Sequence, residues 1–428
     1  MKWIVRQSLL TGIISIPPSK SHTIRALLIA TLAEGKSVIR KPMLTGDGAS
    51  ALSAAKSLGS RVQLIEDGVE ITGIGADFNK GDELFNLGNS GTGTNLFASA
   101  AALGSRKRRF DGDDSLRSRP FKPILEALSQ LGATYNLEKS TGDLPFTIQG
   151  PLIGGKTRIN GVSSQFLSSI LLSSPLIRNG GTHCSVYNLH ELPYVKLTLW
   201  WLNKQGIIIK YKPDFSEFEI PGDQHYKSFD IAVPADFSSA TFAAVGGAIS
   251  GRGVTLAGLD FSDTQGDKGV FEILKSMGVK VEINEDGATV SPGLQLKGQV
   301  IDLNSMPDAL PALSVIACAA HGETRFINVA QARIKETDRI TVMYQELLKM
   351  GADITEQPDG LVVRHSRLKG AVVNGHYDHR VVMALALAGM IAEGETVIET
   401  AEAADVTYPS FVKDFREIGA DITIINEA

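Results

Sequence analysis

Six glycines at nearly even spacing constrain the fold of this chain more than any other feature. Each follows an amphipathic helical pattern and precedes a short β-prone stretch. They are Gly59, Gly132, Gly206, Gly278, Gly351 and Gly419. Glycine just past a helix end is a common left-handed cap. The intervals of 73, 74, 72, 73 and 68 residues are too long for a common solenoid and suit a compact α/β unit of two helices and several strands.

Chain length and turn residues group the six units into two domains. A chain of 428 residues exceeds one ordinary hydrophobic core, so we expect three units per domain. Turn residues lie between the third and fourth units at Val233-Pro234-Ala235-Asp236, and a first strand over residues 2–7 precedes Pro17-Pro18. We therefore predict one domain of residues 1–18 plus 235–428 and another of residues 19–234, with the active site in the cleft between them.

Composition narrows the class of protein. The net charge of −5 argues against a nucleic-acid binder, and the apolar and charged fractions of 43% and 21% are those of a globular protein. The two cysteines are far apart, which predicts neither a disulfide framework nor a zinc site. No stretch reads as a signal peptide or as a bilayer span. We expect a cytoplasmic monomer that binds neither nucleic acid nor membrane.

Two stretches of the first half are suited to anions. Ser19-Lys20-Ser21 precedes an apolar run and predicts a helix beginning near Ser19 or Ser21, whose free N–H groups and dipole favour negative charge. The glycine-rich stretch 87–94 lets backbone approach a ligand, although no Lys follows it as a P-loop requires. The alternatives are a capped surface helix with solvated cations and a tight turn before a helix from Asn95.

Other short stretches each have a functional and a purely structural interpretation. One is Arg117-Ser118-Arg119-Pro120, which either supplies forked guanidinium donors to an oxyanion or is a solvated turn. Another is Val162-Ser163-Ser164-Gln165-Phe166, which either supplies two hydroxyls and an amide to a ligand or is a plain N-cap. Asp308 precedes a long apolar run, where a cap is the simple interpretation. The segment 333–339 has five charged residues in seven positions, which is usually a solvated helix face. Asp378-His379-Arg380 opens a buried helix, which favours a functional role.

Charges collect at the junctions between loops and regular elements. The cations are Lys20, Arg25, Arg119, Lys335, Arg339 and Arg380, and the titratable partners are Asp308, Glu336 and His379. Because the chain as a whole is acidic, such a concentration of cations predicts a small polyanionic substrate. The titratable partners predict acid–base chemistry.

These motifs resemble those of the 5-enolpyruvylshikimate-3-phosphate synthase family of enolpyruvyl transferases. They match in order and spacing over nearly the whole chain: Ser19-Lys20-Ser21 with Arg25, Leu87-Gly88-Asn89 with Gly91-Thr92, Val162–Phe166, Pro307-Asp308-Ala309, Lys335–Arg339 and Asp378-His379-Arg380. The resemblance implies an α/β fold of two domains, each with three βαβαββ units about a pseudo-threefold axis. It also implies chain crossovers near residues 17–19 and 233–236.

The resemblance further implies a reaction and its ligands. The enolpyruvyl group of phosphoenolpyruvate moves to the 5-hydroxyl of 3-phosphoshikimate, and no metal or organic cofactor is used. The residues implied for 3-phosphoshikimate are Ser21, Arg25, Ser163, Ser164, Gln165, Tyr194, Asp308 and Lys335. Those implied for phosphoenolpyruvate are Lys20, Gly91, Arg119, Gln165, Arg339 and Arg380. Asp308 would take the proton of the attacking hydroxyl, and Glu336, His379 and Lys20 are candidates for protonating the methylene carbon and assisting phosphate loss.

Departures from the family pattern keep alternatives open. Where the family has an Arg and a Lys that face phosphate, this chain has Asn95 and Val406. Where the family often has a Ser, this chain has Glu191, and the position of the family's Asp-Asp pair is occupied by Asp47-Gly48. Losing two charged hydrogen bonds would cost roughly 3–6 kcal/mol unless Arg106–Arg109, Arg117 or Arg333 compensates. The alternatives are a paralogue with another acceptor or donor and a non-catalytic metabolite binder. A relative using a reactive Cys between Gly104 and Pro120 is disfavoured, because no Cys occurs there.

Overall fold

The computed structural model describes residues 1–139 and 144–426. Its contacts divide the chain into two compact units, which we call the N-unit (Pro18–Val233) and the C-unit (Met1–Pro17 with Pro234–Ala428). The chain therefore enters the N-unit after Pro17 and leaves it after Val233. Within the described ranges, no helix has both the length and the apolar character needed to cross a membrane.

The regular elements follow one another in a repeating order. The strands are β1 (Lys2–Arg6), β2 (Leu10–Ser15), β3 (Lys36–Arg40), β4 (Arg61–Ile65), β5 (Gly68–Thr72), β6 (Leu84–Asn86), β7 (Arg108–Asp111), β8 (Thr134–Leu137), β9 (Phe146–Gln149), β10 (Gly155–Asn160), β11 (Gly181–Tyr187), β12 (Lys210–Tyr211), β13 (Glu217–Pro221), β14 (Asp230–Ala232), β15 (Gly251–Ala257), β16 (Lys280–Asn284), β17 (Gly287–Ser291), β18 (Val300–Asp302), β19 (Glu323–Ile327), β20 (Asp353–Gln357), β21 (Gly360–Arg364), β22 (Val372–Asn374), β23 (Thr396–Glu399) and β24 (Asp421–Ile425). The α-helices are α1 (Lys20–Leu32), α2 (Gly46–Ser57), α3 (Gly91–Ala101), α4 (Asp114–Arg117), α5 (Lys122–Gln130), α6 (Ser164–Ser173), α7 (Leu192–Lys204), α8 (Phe237–Ser250), α9 (Gly269–Ser276), α10 (Leu310–Ala319), α11 (Arg339–Lys349), α12 (His379–Ile391) and α13 (Phe411–Glu417). Short 3-10 helices lie at Ser174–Leu176, Gly266–Lys268, Pro307–Ala309, Ala330–Ile334 and Ala401–Val406.

The described strands form six sheets of four strands each. The N-unit has the orders β14-β3-β5-β4, β6-β7-β9-β8 and β10-β11-β13-β12, and the C-unit has β2-β15-β17-β16, β18-β19-β21-β20 and β22-β23-β1-β24. In every sheet the first two strands are parallel and the other neighbours are antiparallel. Each sheet with its two helices is one βαβαββ unit, which confirms the predicted fold class.

Three of the six sheets take a strand from a distant part of the chain, and in the first sheet of the C-unit that strand is β2, where Ile14 pairs with Leu256. The first sheet of the N-unit takes its parallel edge strand from β14, where Ile231 pairs with Ile39. The last sheet of the C-unit takes its third strand from β1, where Trp3 pairs with Ile398 on one side and Ile424 on the other. All three strands precede a point where the chain passes between the N-unit and the C-unit, with β1 and β2 before Pro17 and β14 before Val233.

The six glycines occupy equivalent places in the six units. The helices α2, α5, α7, α9, α11 and α13 each end two residues before one of them. Every one of the six has a positive φ, from +73° at Gly206 to +108° at Gly419. This conformation costs glycine little and lets the chain turn back into the next strand. The left-handed caps predicted from the sequence are confirmed.

One helix of each unit is buried on nearly all sides. These helices are α1, α3 and α6 in the N-unit and α8, α10 and α12 in the C-unit. A helix enclosed by other elements is apolar all round, so polar residues remain chiefly at its N-terminus. Helix α1 begins at Lys20, as predicted, but α3 begins at Gly91 and not at Asn95. The early start follows from Ser90, whose hydroxyl accepts from Gly93 N and caps the helix.

Candidate active site

The N-terminus of α1 holds a buried ion pair. Ser19 caps the helix by accepting from His22 N. Lys20 Nζ lies 3.1 Å from Asp47 Oδ2, and the two side chains are 13% and 6% exposed. The interpretation of Lys20 as a solvated surface cation is therefore wrong. A Cβ at Gly48 would lie 1.7 Å from the carbonyl oxygen of Met43, so the second position of the Asp47-Gly48 pair has no room for a side chain.

Arg25 is enclosed beneath the same helix start. Its guanidinium donates to Thr198 Oγ1 at 2.9 Å, to the Ser21 carbonyl at 3.0 Å and to the Tyr194 carbonyl at 3.3 Å. Nη2 also lies 3.4 Å from Ser168 Oγ. Burial lowers the pKa of Arg25 to about 10. Arg25 therefore links Ser21 to Tyr194, two residues implied for the same ligand.

Gly91 and Arg119 are in close contact at the start of α3. A Cβ at Gly91 would lie 2.8 Å from Arg119 Nη1, so the glycine leaves room for the guanidinium. Arg119 Nη2 donates to Asn89 Oδ1, and Asn89 Nδ2 donates to Asp113. The glycine-rich turn thus brings a cation to a helix N-terminus, an arrangement that favours an anion.

Asn95 contacts Gln165, a residue implied for both substrates. Asn95 Nδ2 donates to Gln165 Oε1 at 2.9 Å and to the Gly91 carbonyl at 2.9 Å. Gln165 Nε2 donates to Thr92 Oγ1 at 3.0 Å. Asn95 Oδ1 is buried and has no hydrogen-bond partner among the described residues. The amide of Asn95 therefore fixes the orientation of Gln165.

The start of α6 is held by a buried glutamate. Ser163 caps the helix by accepting from Gln165 N at 3.4 Å, which confirms the N-cap interpretation. Ser164 Oγ donates to Glu191 Oε2 at 2.7 Å, and Ser164 N reaches the same oxygen at 3.3 Å. Glu191 is 1% exposed and has a left-handed backbone. The Ser164 hydroxyl therefore donates its hydrogen to the Glu191 carboxylate.

Arg339 is the centre of the site residues in the C-unit. Its guanidinium donates to Asp308 at 2.7 Å, to Glu336 at 2.6 Å and to both oxygens of Asp378 at 2.8 and 3.1 Å. Burial alone would lower the pKa of Arg339, yet the three carboxylates raise it above its ordinary value. The interpretation of segment 333–339 as a solvated helix face is wrong for Arg339, which is 1% exposed.

Asp378, His379 and Arg380 form the buried start of α12. Asp378 caps the helix by accepting from Arg380 N at 2.9 Å, and Thr337 Oγ1 donates to its other oxygen. Although burial opposes ionisation, Arg339 holds the pKa of Asp378 below its usual range. Arg380 Nη2 lies 3.1 Å from Asp308 Oδ2. Asp308 therefore bridges two guanidinium groups, and its interpretation as a cap is wrong, because α10 follows Ala309 and has no side-chain cap hydrogen bond.

A further buried carboxylate, Asp267, belongs to this group and escaped the sequence analysis. Asp267 accepts a hydrogen bond from Ser238 Oγ at the start of α8. Burial, together with the charge of Asp308, raises the pKa of Asp267 to about 7, while Arg380 opposes the rise. Asp267 lies in a short 3-10 helix among other charged residues, Asp260, Asp263 and Lys268, so nothing in the sequence distinguished it from an exposed aspartate.

The arginines considered as replacements for the missing cations are engaged elsewhere. Arg117 pairs with Asp111 at 2.9 Å, and Arg109 pairs with Glu138 at 2.6 Å. The guanidinium of Arg108 lies among the carbonyls of residues 78–82. Arg333 is held by Asp338 and Glu356, and Arg106 Nη2 lies 3.5 Å from Glu83. The expectation that one of them compensates finds no support in these contacts.

The described residues contain no group of three or more His, Cys, Asp or Glu side chains that could hold a metal ion. Lys335 directly follows the 3-10 helix Ala330–Ile334 and is half-buried. Its neighbour Glu336 is bound by Arg339 at the start of α11. The charged residues of the C-unit site thus lie in the 3-10 helices Gly266–Lys268 and Pro307–Ala309 and at or just before the starts of α11 and α12.

Solved structures place the fold in a known class. The chain superposes on an EPSP synthase from Acinetobacter baumannii with a TM-score of 0.82, at 25% identity and covering 99% of this chain and 100% of the other. It also superposes on the enolpyruvyl transferase NikO from Streptomyces tendae with a TM-score of 0.81, at 18% identity and covering 100% of this chain and 99% of the other. The fold is therefore that of the enolpyruvyl transferases.

Sequence comparison gives the particular family. The model of EPSP synthase (3-phosphoshikimate 1-carboxyvinyltransferase) matches residues 4–415. A 3-phosphoshikimate 1-carboxyvinyltransferase from Acetivibrio thermocellus is 50% identical over 98% of each chain. One from Ruminiclostridium cellulolyticum is 48% identical over 98% of this chain and 99% of its own. The chain belongs to the EPSP synthase family, which confirms the resemblance found in the sequence.

Proposed function

We propose that the protein transfers the enolpyruvyl group of phosphoenolpyruvate to the 5-hydroxyl of 3-phosphoshikimate and releases phosphate. Family membership supports this reaction, and so do homologues of that name covering nearly the whole chain. The observation that carries the mechanism is the position of Asp308, which lies 2.7 Å from Arg339 and 3.1 Å from Arg380.

Asp308 is the proposed general base. Two guanidinium groups favour its ionised form and fix the direction of its carboxylate. An ionised and oriented carboxylate can take the proton of the 5-hydroxyl as that oxygen attacks C2 of phosphoenolpyruvate.

Arg339 and Arg380 are the proposed ligands of the phosphoenolpyruvate carboxylate. Four of the five N–H groups of Arg339 already serve three carboxylates, so an incoming carboxylate that binds through both of its oxygens must displace one of them. Glu336 is the natural candidate, since Asp378 binds Arg339 through two nitrogens and Asp308 is also held by Arg380. Displaced from the guanidinium, Glu336 would bind a proton more readily and could deliver it to the methylene carbon.

His379 and Lys20 are the other proposed proton donors, and they assist loss of phosphate from the tetrahedral intermediate. That intermediate carries two anionic groups, so fixed positive charge stabilises it most strongly. We assign the ligands by their match to the family. 3-Phosphoshikimate is held by Ser21, Arg25, Ser163, Ser164, Gln165, Tyr194, Asp308 and Lys335. Phosphoenolpyruvate is held by Lys20, Gly91, Arg119, Gln165, Arg339 and Arg380.

We place the protein in the shikimate pathway of aromatic amino acid biosynthesis. We propose that it works in the cytoplasm as a monomer, without cofactor, and with these two small anions as its partners. The substrates carry all the atoms of the transferred group, so the proposed transfer needs no separate group carrier.

Phosphate release by the purified protein tests the proposal. We expect release only when both substrates are present, and its loss in Asp308→Asn. The matched control is Asp286→Asn, the same substitution at an exposed hairpin turn between β16 and β17, which should keep full activity. If folded wild-type protein releases no phosphate from the two substrates together, the proposed function is wrong.

A further inference from the structure

The segment that leads into α12 has an unusual backbone. Asn374 ends β22, and α12 begins at His379. Between them His376 and Tyr377 both have left-handed backbones, with φ of 52° and 57°. L-residues with side chains rarely adopt this conformation, and two in succession require contacts that hold them in place.

Helix α11 holds this segment at both ends. At its first residue, Arg339 donates to both carboxylate oxygens of Asp378. Two turns later, Glu346 accepts from Asn374 N at 3.0 Å and contacts His376 Nε2 at 2.8 Å. The two strained residues therefore lie between two fixed points on one rigid helix.

Glu346 is well suited to this task. Its side chain is 1% exposed, and Lys349 Nζ lies 2.7 Å from Oε2 and 2.8 Å from Oε1. Burial opposes its ionisation, but the hydrogen bonds of His376, Lys349 and Asn374 N hold the pKa of Glu346 below its usual value. Glu346 is therefore a buried, ionised acceptor whose partners are drawn from the segment and from its own helix.

We propose that Glu346 and His376 are positioning residues, which act on substrate through the segment that carries His379 and Arg380. Asp378 lies two residues after His376 and caps α12 through Arg380 N. Arg380 in turn contacts Asp308. A change in the backbone conformation of residues 376 and 377 would therefore displace Arg380, the proposed phosphoenolpyruvate ligand, and through it Asp308, the proposed base. This inference rests on the proposed function for its effect on catalysis, but not for its effect on structure.

The experiment compares four variants with wild-type protein. Glu346→Gln removes the charge and leaves one acceptor for several donors. His376→Asn tolerates the left-handed backbone but is too short to reach Glu346. His376→Gln can still donate to Glu346 and serves as the rescue. The matched control is Glu272→Gln on α9, where an exposed glutamate makes the same i,i+3 pair with Lys275.

Two readouts separate positioning from general stability. The first is amide hydrogen exchange of residues 374–382 without substrate, and the second is kcat and KM for each substrate. We expect exchange in this segment to accelerate about tenfold in Glu346→Gln and His376→Asn, with exchange in the N-unit unchanged. We expect KM for phosphoenolpyruvate to rise roughly 10- to 100-fold, the scale of a small misplacement of a ligand, with a smaller rise in KM for 3-phosphoshikimate, for which Asp308 is one of eight proposed ligands. His376→Gln should lie near wild type, and Glu272→Gln should equal it.

The outcomes distinguish the two proposals. Unchanged exchange at residues 374–382 would overturn the positioning role whatever the activity, and so would a uniform loss of protection across the C-unit. Equal changes in KM for both substrates would also overturn it. If wild-type protein does not turn over the two substrates, the proposed function fails, and the exchange data still decide whether Glu346 and His376 hold the segment.

Discussion

The Nη1 atom of Arg339 lies 2.7 Å from Oδ1 of Asp308, although the two residues belong to different elements of the C-unit. The same guanidinium also binds Glu336 and Asp378. A single buried cation therefore sets the position of the proposed base, of a proposed acid and of the cap of α12. Neutralisation of these three carboxylates by one side chain depends on the forked geometry of the arginine guanidinium, because a lysine ammonium cannot bind three carboxylates in this arrangement.

The first prediction is that Arg339→Lys loses both stability and activity. The substitution keeps the charge but leaves at least one buried carboxylate without its partner, which costs about 3–5 kcal/mol. We expect the free energy of unfolding in urea to fall by that amount and kcat/KM to fall at least 100-fold. The control is Arg325→Lys, at an exposed arginine paired with Glu323, which should change neither. A kcat/KM within a factor of two of wild type would show that the forked contacts are dispensable.

The second prediction concerns the orientation of Gln165. Asn95 donates to Gln165 Oε1, so Gln165 presents its N–H group away from Asn95 and toward Thr92. In Asn95→Asp a carboxylate oxygen would face Oε1, and the Gln165 amide would turn to donate to it. We expect KM for phosphoenolpyruvate to rise about tenfold, the loss of one charge-assisted hydrogen bond.

Asn136→Asp is the control for this prediction, since it makes the same change on an exposed position of β8. Steady-state kinetics with each substrate varied in turn provide the measurement. If Asn95→Asp binds phosphoenolpyruvate as well as wild type does, Asn95 does not orient Gln165.

Much of the architecture was predictable because one local rule repeats six times. Each glycine cap depends on the backbone within a few residues, and such local signals survive in any tertiary context. Ser19, Ser163 and Asp378 were predicted at helix starts for the same reason, and all three accept a backbone hydrogen bond there. The site motifs could be located because they lie at these starts.

Contacts between residues distant in the chain could not be predicted from the same patterns. Glu346 and His376 are 30 residues apart, and Ser164 and Glu191 are 27 apart. Nothing local in the sequence shows that either glutamate is buried. A run of charges such as residues 333–339 is usually exposed, and although the family resemblance assigned Arg339 to the site, only the packing of α11 against its neighbours reveals that this side chain is buried.

The third prediction concerns Glu191. Its carboxylate accepts the hydroxyl hydrogen of Ser164 and places negative charge beside a residue assigned to the phosphorylated acceptor. In Glu191→Gln the charge is removed, and the amide can donate to Ser164 Oγ, which leaves the hydroxyl hydrogen for a phosphate oxygen. We expect KM for 3-phosphoshikimate to fall severalfold, and we expect the change to shrink at high salt. Glu219→Gln on β13 is the exposed control. A higher KM in Glu191→Gln would show that the carboxylate orders Ser164 productively.

The last prediction concerns Asp267 and the dependence of stability on pH. Burial and the neighbouring Asp308 raise its pKa from 3.8 to about 7. Between these two values the folded state binds more protons at Asp267 than the unfolded state does, so this group makes the free energy of unfolding fall as pH rises. This destabilisation of the folded state by Asp267 is absent below about pH 4 and complete above about pH 7. Asp267→Asn removes it while its side-chain oxygen still accepts from Ser238. We therefore expect the difference in the free energy of unfolding between the variant and wild type to grow by about 3 kcal/mol from about pH 5 to about pH 8. Urea unfolding at both pH values measures this difference, with Asp286→Asn as the exposed control. A difference that does not grow with pH would show that Asp267 is ionised in the folded protein throughout this range.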